Sequence, residues 1–327
     1  MEPPIDINNI FSVRDSSFDD LAIELYHWQY RQNPVYRQWV GLTKAEPFAI
    51  KTLACIPALP ISFFKTHRVL AQDQTASCVF ESSRTTGMIS SKHYVPNPDW
   101  YEQGSVLGFE QRYGKLNEWC VLALLPAYLE RENSSLVYMA NHFIERSGHP
   151  SSGFYLYDFA ALYKKLQELE ATGQKTLLLG VTFALLDFTE NYPMQLKHTL
   201  IMETGGMKGR GKELTREELH TLLCKRTGLS SIHAEYGMTE LMSQAYLMGG
   251  GRFQCPPWMK VLLRKEDDPF DIMQEGTGLL QIIDLANIYS CAFIATQDIG
   301  KVYKDGSFEV IGRMDHSDLR GCSLLVV

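Results

Sequence analysis

The chain has 327 residues, enough for one elaborate domain or two to three subdomains sharing a large core. With 45% apolar and 21% charged residues and a formal charge of −7, its composition is that of an ordinary globular protein and argues against a general nucleic-acid binder, which would be basic or carry a basic stripe. No apolar run approaches the roughly 20 residues that cross a bilayer, and the N-terminus MEPPIDINNIF lacks the basic stretch and apolar run of a secretory signal. Seven cysteines without a CxxC pair read as reduced thiols, so a cytoplasmic protein without a membrane span is expected.

In chain order, residues 1–75 form a largely helical lead-in, with a helix predicted over 18–31 and prolines 57 and 60 breaking the pattern. From residue 76 short apolar runs alternate with helical ones. A strand over 76–80 leads into a hydroxyl-rich loop and then a helix from Pro98 with Asn97 as its N-cap. A buried run over 119–125, helices over 135–146 and 157–170, and strands over 175–180 and 199–202 follow. Thr215-Arg216-Glu217-Glu218 is a capping box opening a helix over 216–225, and a strand over 232–235 comes next. This alternation over 76–250 predicts an α/β core whose parallel sheets are covered by helices, with ligands bound outside the carboxyl ends of the strands. After residue 250 the pattern turns to strands over 260–264, 278–284, 293–296, 301–303, 307–311 and 323–327, with a hairpin turn at Lys304-Asp305-Gly306-Ser307. Residues 251–327 are therefore expected to form a β-rich subdomain.

Two segments carry most of the chemistry. Ser82-Ser83-Arg84-Thr85-Thr86-Gly87 gathers hydroxyls and backbone N–H groups after a strand, as an anion-binding nest requires, although a capped surface turn would read the same way. Lys92 lies just beyond it. Tyr236-Gly237-Met238-Thr239-Glu240 places a hydroxyl beside a carboxylate at the end of a strand, suited to a magnesium ion that bridges phosphate oxygens. The alternative there is an N-cap pair opening a helix over 241–247. Asp298 and Arg313, each at the end of a predicted strand, would accept from and donate to ribose hydroxyls.

In this order SSRTTG, ETGG, YGMTE, TQDIG and GRMD resemble the adenylate-forming superfamily of acyl-CoA synthetases, adenylation domains and luciferases. FESSRTTGMISSKHYV, METGGMKGRGKEL and the ending GRMDHSDLRGCSLLVV are most similar to the LuxE-type acyl-protein synthetases. The resemblance covers roughly residues 76–327. It implies an adenylate-forming α/β core, without the usual small C-terminal domain that carries a catalytic lysine, that uses ATP and Mg²⁺ to activate a fatty or aryl acid to an acyl-adenylate. The acyl group then passes to a thiol on the chain itself, a carrier or a partner protein. Ser82, Ser83, Thr85, Thr86 and Gly87 would grip phosphates. Thr239 and Glu240 would hold phosphate and Mg²⁺, Gly205 and Gly206 would let the backbone approach the adenine with Tyr236 flanking it, and Asp298 and Arg313 would bind the ribose. Cys322 would take the acyl group, and Lys92 is the candidate for the cation of adenylation. Arg84 stands where the family has glycine; it either hinders the close approach or itself donates to phosphate. Two competing readings are a non-catalytic nucleotide- or acyl-binding module and an ATP-independent cysteine acyltransferase.

Overall fold

A computed structural model of the chain describes residues 2–4, 7–43, 46–82, 89–126, 133–205 and 214–314. Helices α1 (Asp15–Gln32) and α2 (Pro34–Leu42) come first, then the short strand β1 (Leu59–Pro60) and the single turn α3 (Phe63–Thr66). Strands β2 (Cys78–Glu81) and β3 (Lys92–Val95) pair antiparallel. The next stretch alternates α4 (Pro98–Tyr113), β4 (Cys120–Leu124), α5 (Ser135–Ser147), β5 (Gly153–Phe154), α6 (Phe159–Thr172), β6 (Thr176–Gly180), α7 (Thr182–Asn191), β7 (Thr199–Glu203), α8 (Arg216–Thr227) and β8 (His233–Tyr236). It ends in β9 (Ala245–Leu247), β10 (Phe253–Gln254), β11 (Met259–Arg264), β12 (Ile272–Met273), β13 (Gly276–Asp284), β14 (Phe293–Val302) and β15 (Phe308–Arg313).

One sheet runs through both halves in the order β12-β11-β13-β14-β15-β10-β9-β8-β7-β6-β4-β5, with β1 added parallel to β14. Strands β5, β4, β6, β7 and β8 are parallel, and from β9 onward each neighbour along the sheet is antiparallel. The parallel strands are apolar on both sides because helices cover both faces. Leu122, Leu124, Leu178 and Ile201 pack with Leu162, Leu166, Phe188 and Leu223 of α6, α7 and α8. The alternate residues Val121, Ala123, Leu177 and Met202 pack with Phe109, Ala140 and Phe143 of α4 and α5.

Local signals behave as their chemistry requires. Asn97 accepts from the Asp99 N–H at 3.0 Å to cap α4. Thr215 and Glu218 form the reciprocal capping box of α8, at 3.2 and 2.8 Å. Tyr303 N–H donates to the Ser307 carbonyl at 2.9 Å, closing the expected hairpin. No helix among the described residues is long and apolar enough to cross a membrane.

One expectation is extended and two are corrected. Between the expected strand and the expected helix at Pro98 lies a strand that was not anticipated, β3, which returns along β2. The predicted strands over 293–296 and 301–303 are one strand, β14: Asp298 pairs with Arg313 of β15, with register shifts at Ile299/Gly300 against β15 and opposite Leu279/Gln281 of β13, so Asp298 lies within a strand and not in a turn. The segment 241–247 forms no helix. Its backbone is instead taken up by Asp284 and by β9, which pairs with β8.

The lead-in is tied to the sheet by buried amides. Gln29 Nε2 donates to the carbonyls of Asn287 and Ile288 at 2.9 and 2.6 Å, and its Oε1 accepts from Ala292 N–H at 3.0 Å. Asn33 Nδ2 donates to the Ser290 carbonyl at 2.8 Å, while its Oδ1 caps α2. A buried amide that satisfies several main-chain groups fixes the segment it touches, because leaving any of them unpaired costs about 1–3 kcal/mol. Helix α1 thereby anchors the 287–292 segment, which reaches into the site described next.

Candidate active site

Strand β8 delivers two of the predicted groups within five residues, Tyr236 at its end and Glu240 in the turn that follows. Glu240 is buried, at 4% exposure. Burial raises its carboxyl above the ordinary value, against a hydrogen bond from Ser91 and the positive charges of Arg313 and Lys65.

The turn itself is held from beneath. His93, facing inward from β3, lies with Nδ1 2.8 Å from the Thr239 carbonyl and Nε2 3.1 Å from Asn287 Oδ1. Asn287 Nδ2 donates to the Glu240 carbonyl at 2.8 Å. Burial pushes His93 down to about 4, against its two hydrogen-bond partners, which raise it; a neutral ring has a single N–H and donates to one of these two oxygens. Asp284, at the end of β13, accepts from Met242 N–H, Ser243 Oγ and Ala286 N–H at 2.8, 2.7 and 3.1 Å.

The base of the hydroxyl-rich loop meets the same turn. Ser82 pairs with Ser91 through both its N–H, at 3.1 Å, and its Oγ, at 2.9 Å. Ser91 in turn bonds Glu240, so Ser82 and Glu240 are one residue apart through contacts. Ser83, Arg84, Thr85, Thr86 and Gly87 lie outside the described residues, as do Gly206 and Cys322. Lys92 projects to the outer side of β3 and pairs with Glu81 at 3.4 Å.

At the other end of the site Tyr236, Asp298 and Arg313 come together. The Tyr236 hydroxyl donates to Asp298 Oδ2 at 2.8 Å, and Arg313 Nε lies 3.9 Å from Asp298 Oδ1, the two residues being direct partners across β14 and β15. Burial raises the Asp298 carboxyl, against Tyr236 and Arg313, which lower it. The Tyr236 ring is buried against Phe253 and Phe308, so it orients Asp298 with its hydroxyl.

Gly205 follows β7 with φ +74°, a conformation that favours glycine, and its N–H donates to Glu203 Oε2 at 2.6 Å. Glu203 was not anticipated. Although burial pushes its carboxyl up, His220, Arg216 at 3.3 Å and the Gly205 N–H outweigh it and hold the group below the ordinary range. The first glutamate of ETGG thus fixes the loop that carries the glycine.

A cavity of about 160 Å³ opens between these elements, and its wall includes Glu81, Thr204, Gly237 and Thr239. Those residues precede Ser82, precede Gly205 and belong to the YGMTE turn, so three motifs distant in sequence meet at one cavity beyond the carboxyl ends of β7 and β8. His93, Asn287 and Ser91 escape a reading of the sequence; the alternation of Lys-His-Tyr-Val, with His93 inward, is the one local signal among them.

The sequence matches no family model and no curated protein. Solved structures do match. ATP-bound MatB from Rhodopseudomonas palustris superposes with a TM-score of 0.54 at 18% identity, over 74% of this chain and 50% of its own. 2-Hydroxyisobutyryl-CoA ligase in the postadenylation state with 2-HIB-AMP superposes with a TM-score of 0.68 at 11% identity, over 96% of this chain and 72% of its own. The fold is that of the adenylate-forming ligases. In the thioesterification state, with 2-HIB-AMP and CoA, the same ligase again gives a TM-score of 0.68, at 11% identity over 97% of this chain and 73% of its own. The chain spans about half the length of the MatB structures it resembles, 50% in the first of them.

Proposed function

We propose that this chain activates a carboxylic acid with ATP and transfers the acyl group to a thiol, in the manner of an acyl-protein synthetase of the LuxE type. The observation that carries this reading is that Glu81, Thr204 and Thr239, next in sequence to Ser82, Gly205 and Glu240, line one cavity, while Tyr236, Asp298 and Arg313 form a second cluster. The match to ligases solved with ATP, or with an acyl-AMP and CoA, supports the same chemistry.

In the proposed first step a carboxylate oxygen bonds to the α-phosphorus while its bond to the bridging oxygen breaks, and pyrophosphate leaves. In the second, a thiolate attacks the acyl carbon and AMP departs with one oxygen of the acid. The chain's own groups answer the charge these steps create, which is worth most in a site held rigid beforehand. Asp298 accepts from the ribose hydroxyls, oriented by Tyr236, and Arg313 donates alongside. Gly205 leaves the backbone open toward the base. Lys92, on the outer side of β3 and paired with Glu81 of the cavity wall, is the proposed cation of adenylation, and Cys322 is the proposed acyl acceptor.

No group of three or more metal-ligating side chains occurs among the described residues. One buried carboxylate beside the Thr239 hydroxyl is nevertheless a fitting donor set for Mg²⁺, which takes one or two carboxylates and fills its remaining positions with phosphate and water. Glu240 and Thr239 would hold that ion, and it would neutralise phosphate charge.

Acid-dependent exchange of pyrophosphate into ATP, measured over fatty, aryl and short polar acids, tests the proposal. Exchange with at least one acid class is expected. ATP binding without exchange would move the chain to the non-catalytic module, and absence of ATP binding would remove both readings.

A further inference from the structure

The cavity beyond Thr239 has one wall that the nucleotide reading does not use. Glu235 is the residue on β8 just before Tyr236, and its side chain points the opposite way, across from Tyr246 of β9 and toward Tyr101 of α4. Among the described residues no hydrogen bond reaches its carboxyl. Its Oε1 lies where a Cβ on Gly237 would come within 2.3 Å, so the carboxyl folds over the one residue of the turn that leaves it room.

Around it the cavity is polar. Gln244, buried, bonds the Tyr101 hydroxyl, which donates to the Ser135 carbonyl at 3.1 Å, and Glu235, Gln244, Tyr101 and Ser135 all line the cavity together with Thr239. Its volume, about 160 Å³, is below the ~300–1,000 Å³ of pockets that take drug-sized ligands and suits a small acid. An apolar acid would leave the Glu235 carboxyl without a partner, which a binding site penalises heavily.

We propose that Glu235 and Gln244 select a short acid bearing a hydroxyl or ammonium group, and that this group donates a hydrogen bond to the Glu235 carboxyl while the acid's own carboxylate points out toward Thr239. Such an acid differs from the fatty or aryl acid that the resemblance implies, and the proposal rests on the adenylation reading only in assigning the cavity to the acid. Burial, reinforced by the negative charge of Glu203, raises Glu235 to about 8, consistent with a carboxyl waiting for a donor or a cation.

The test has two arms on the full chain. Saturation-transfer NMR without ATP measures binding of glycolate, lactate, glycine, β-alanine, propionate, benzoate and octanoate; pyrophosphate exchange is run in parallel on the same acids. Short hydroxy or amino acids should bind at least about tenfold more tightly than propionate, and Glu235→Leu should erase that preference. Glu235→Gln separates the two donors, since an amide still accepts from a hydroxyl but no longer balances an ammonium: retained binding assigns a hydroxy acid, lost binding an amino acid. Tighter binding of octanoate or benzoate, or no binding of any short polar acid, overturns the proposal. Selective binding without exchange would leave it standing and defeat adenylation, whereas exchange confined to long or aryl acids would do the reverse. Unchanged melting temperatures of both variants keep misfolding out of the comparison.

Discussion

The two carboxylates at the ends of the site are held in opposite ways. Glu240 is 4% exposed and sits on a turn whose main chain is bonded by His93 and Asn287, with Asn287 fixed in turn by Gln29 of α1. Asp298 sits on a strand, partnered by Tyr236 and by an Arg313 whose side chain is 65% exposed. The first end is a prebuilt scaffold whose parts also hold the fold together. The second is an open pair whose loss the fold can tolerate. Stability and nucleotide recognition should therefore separate along the site.

Substitutions ordered by expected effect sharpen that contrast. Asp284→Ala strips the acceptor from three donors beneath the Glu240 turn and should lower stability by about 3–5 kcal/mol in urea denaturation, as loss of a buried hydrogen-bonded charge does. Asn287→Ala, which frees the Glu240 carbonyl and one side of His93, should lower it by about 1–3 kcal/mol and slow exchange as well. Arg313→Ala should change stability by less than about 0.5 kcal/mol, yet raise the KM for ATP. If Arg313→Ala destabilised as much as Asn287→Ala, the division into scaffold and open pair would be wrong.

The smallest effect is one of pH. Glu235 holds its proton to about 8 in the folded chain, against an ordinary 4.5. Between those values the folded state binds a proton that the unfolded chain has released, so stability falls as pH rises through the window. Glu235→Gln should flatten that slope, giving a larger gain in melting temperature at pH 8 than at pH 5.

The same contrast marks what the sequence reveals. Strands β4 and β6, Cys-Val-Leu-Ala-Leu and Thr-Leu-Leu-Leu-Gly, are legible because burial on both faces leaves an unbroken apolar run. Strand β14 is not, since Thr-Gln-Asp in its middle reads as a turn until the pairing of Asp298 with β15, opposite a bulge against β13, carries the strand through it. Strand β3 is too short to announce itself, and without it the loop at Ser82 has no visible return. Of the candidate site, Tyr236, Thr239, Glu240, Asp298 and Arg313 are singled out by their order along the chain, and the structure brings Tyr236, Asp298 and Arg313 together. The contact of His93 with Asn287 spans 194 residues and leaves no local trace. Glu235 stays hidden because a glutamate in a strand reads as a solvated face until Tyr101, Tyr246 and Gly237 close around it.

The central claim is that the acid's carboxylate attacks the α-phosphorus of ATP. An acid labelled with heavy oxygen in its carboxylate, incubated with ATP, Mg²⁺ and the chain and trapped with hydroxylamine, tests it by mass spectrometry of the nucleotide product. The account predicts AMP carrying one heavy oxygen. Formation of ADP, or of AMP without the label, would contradict it.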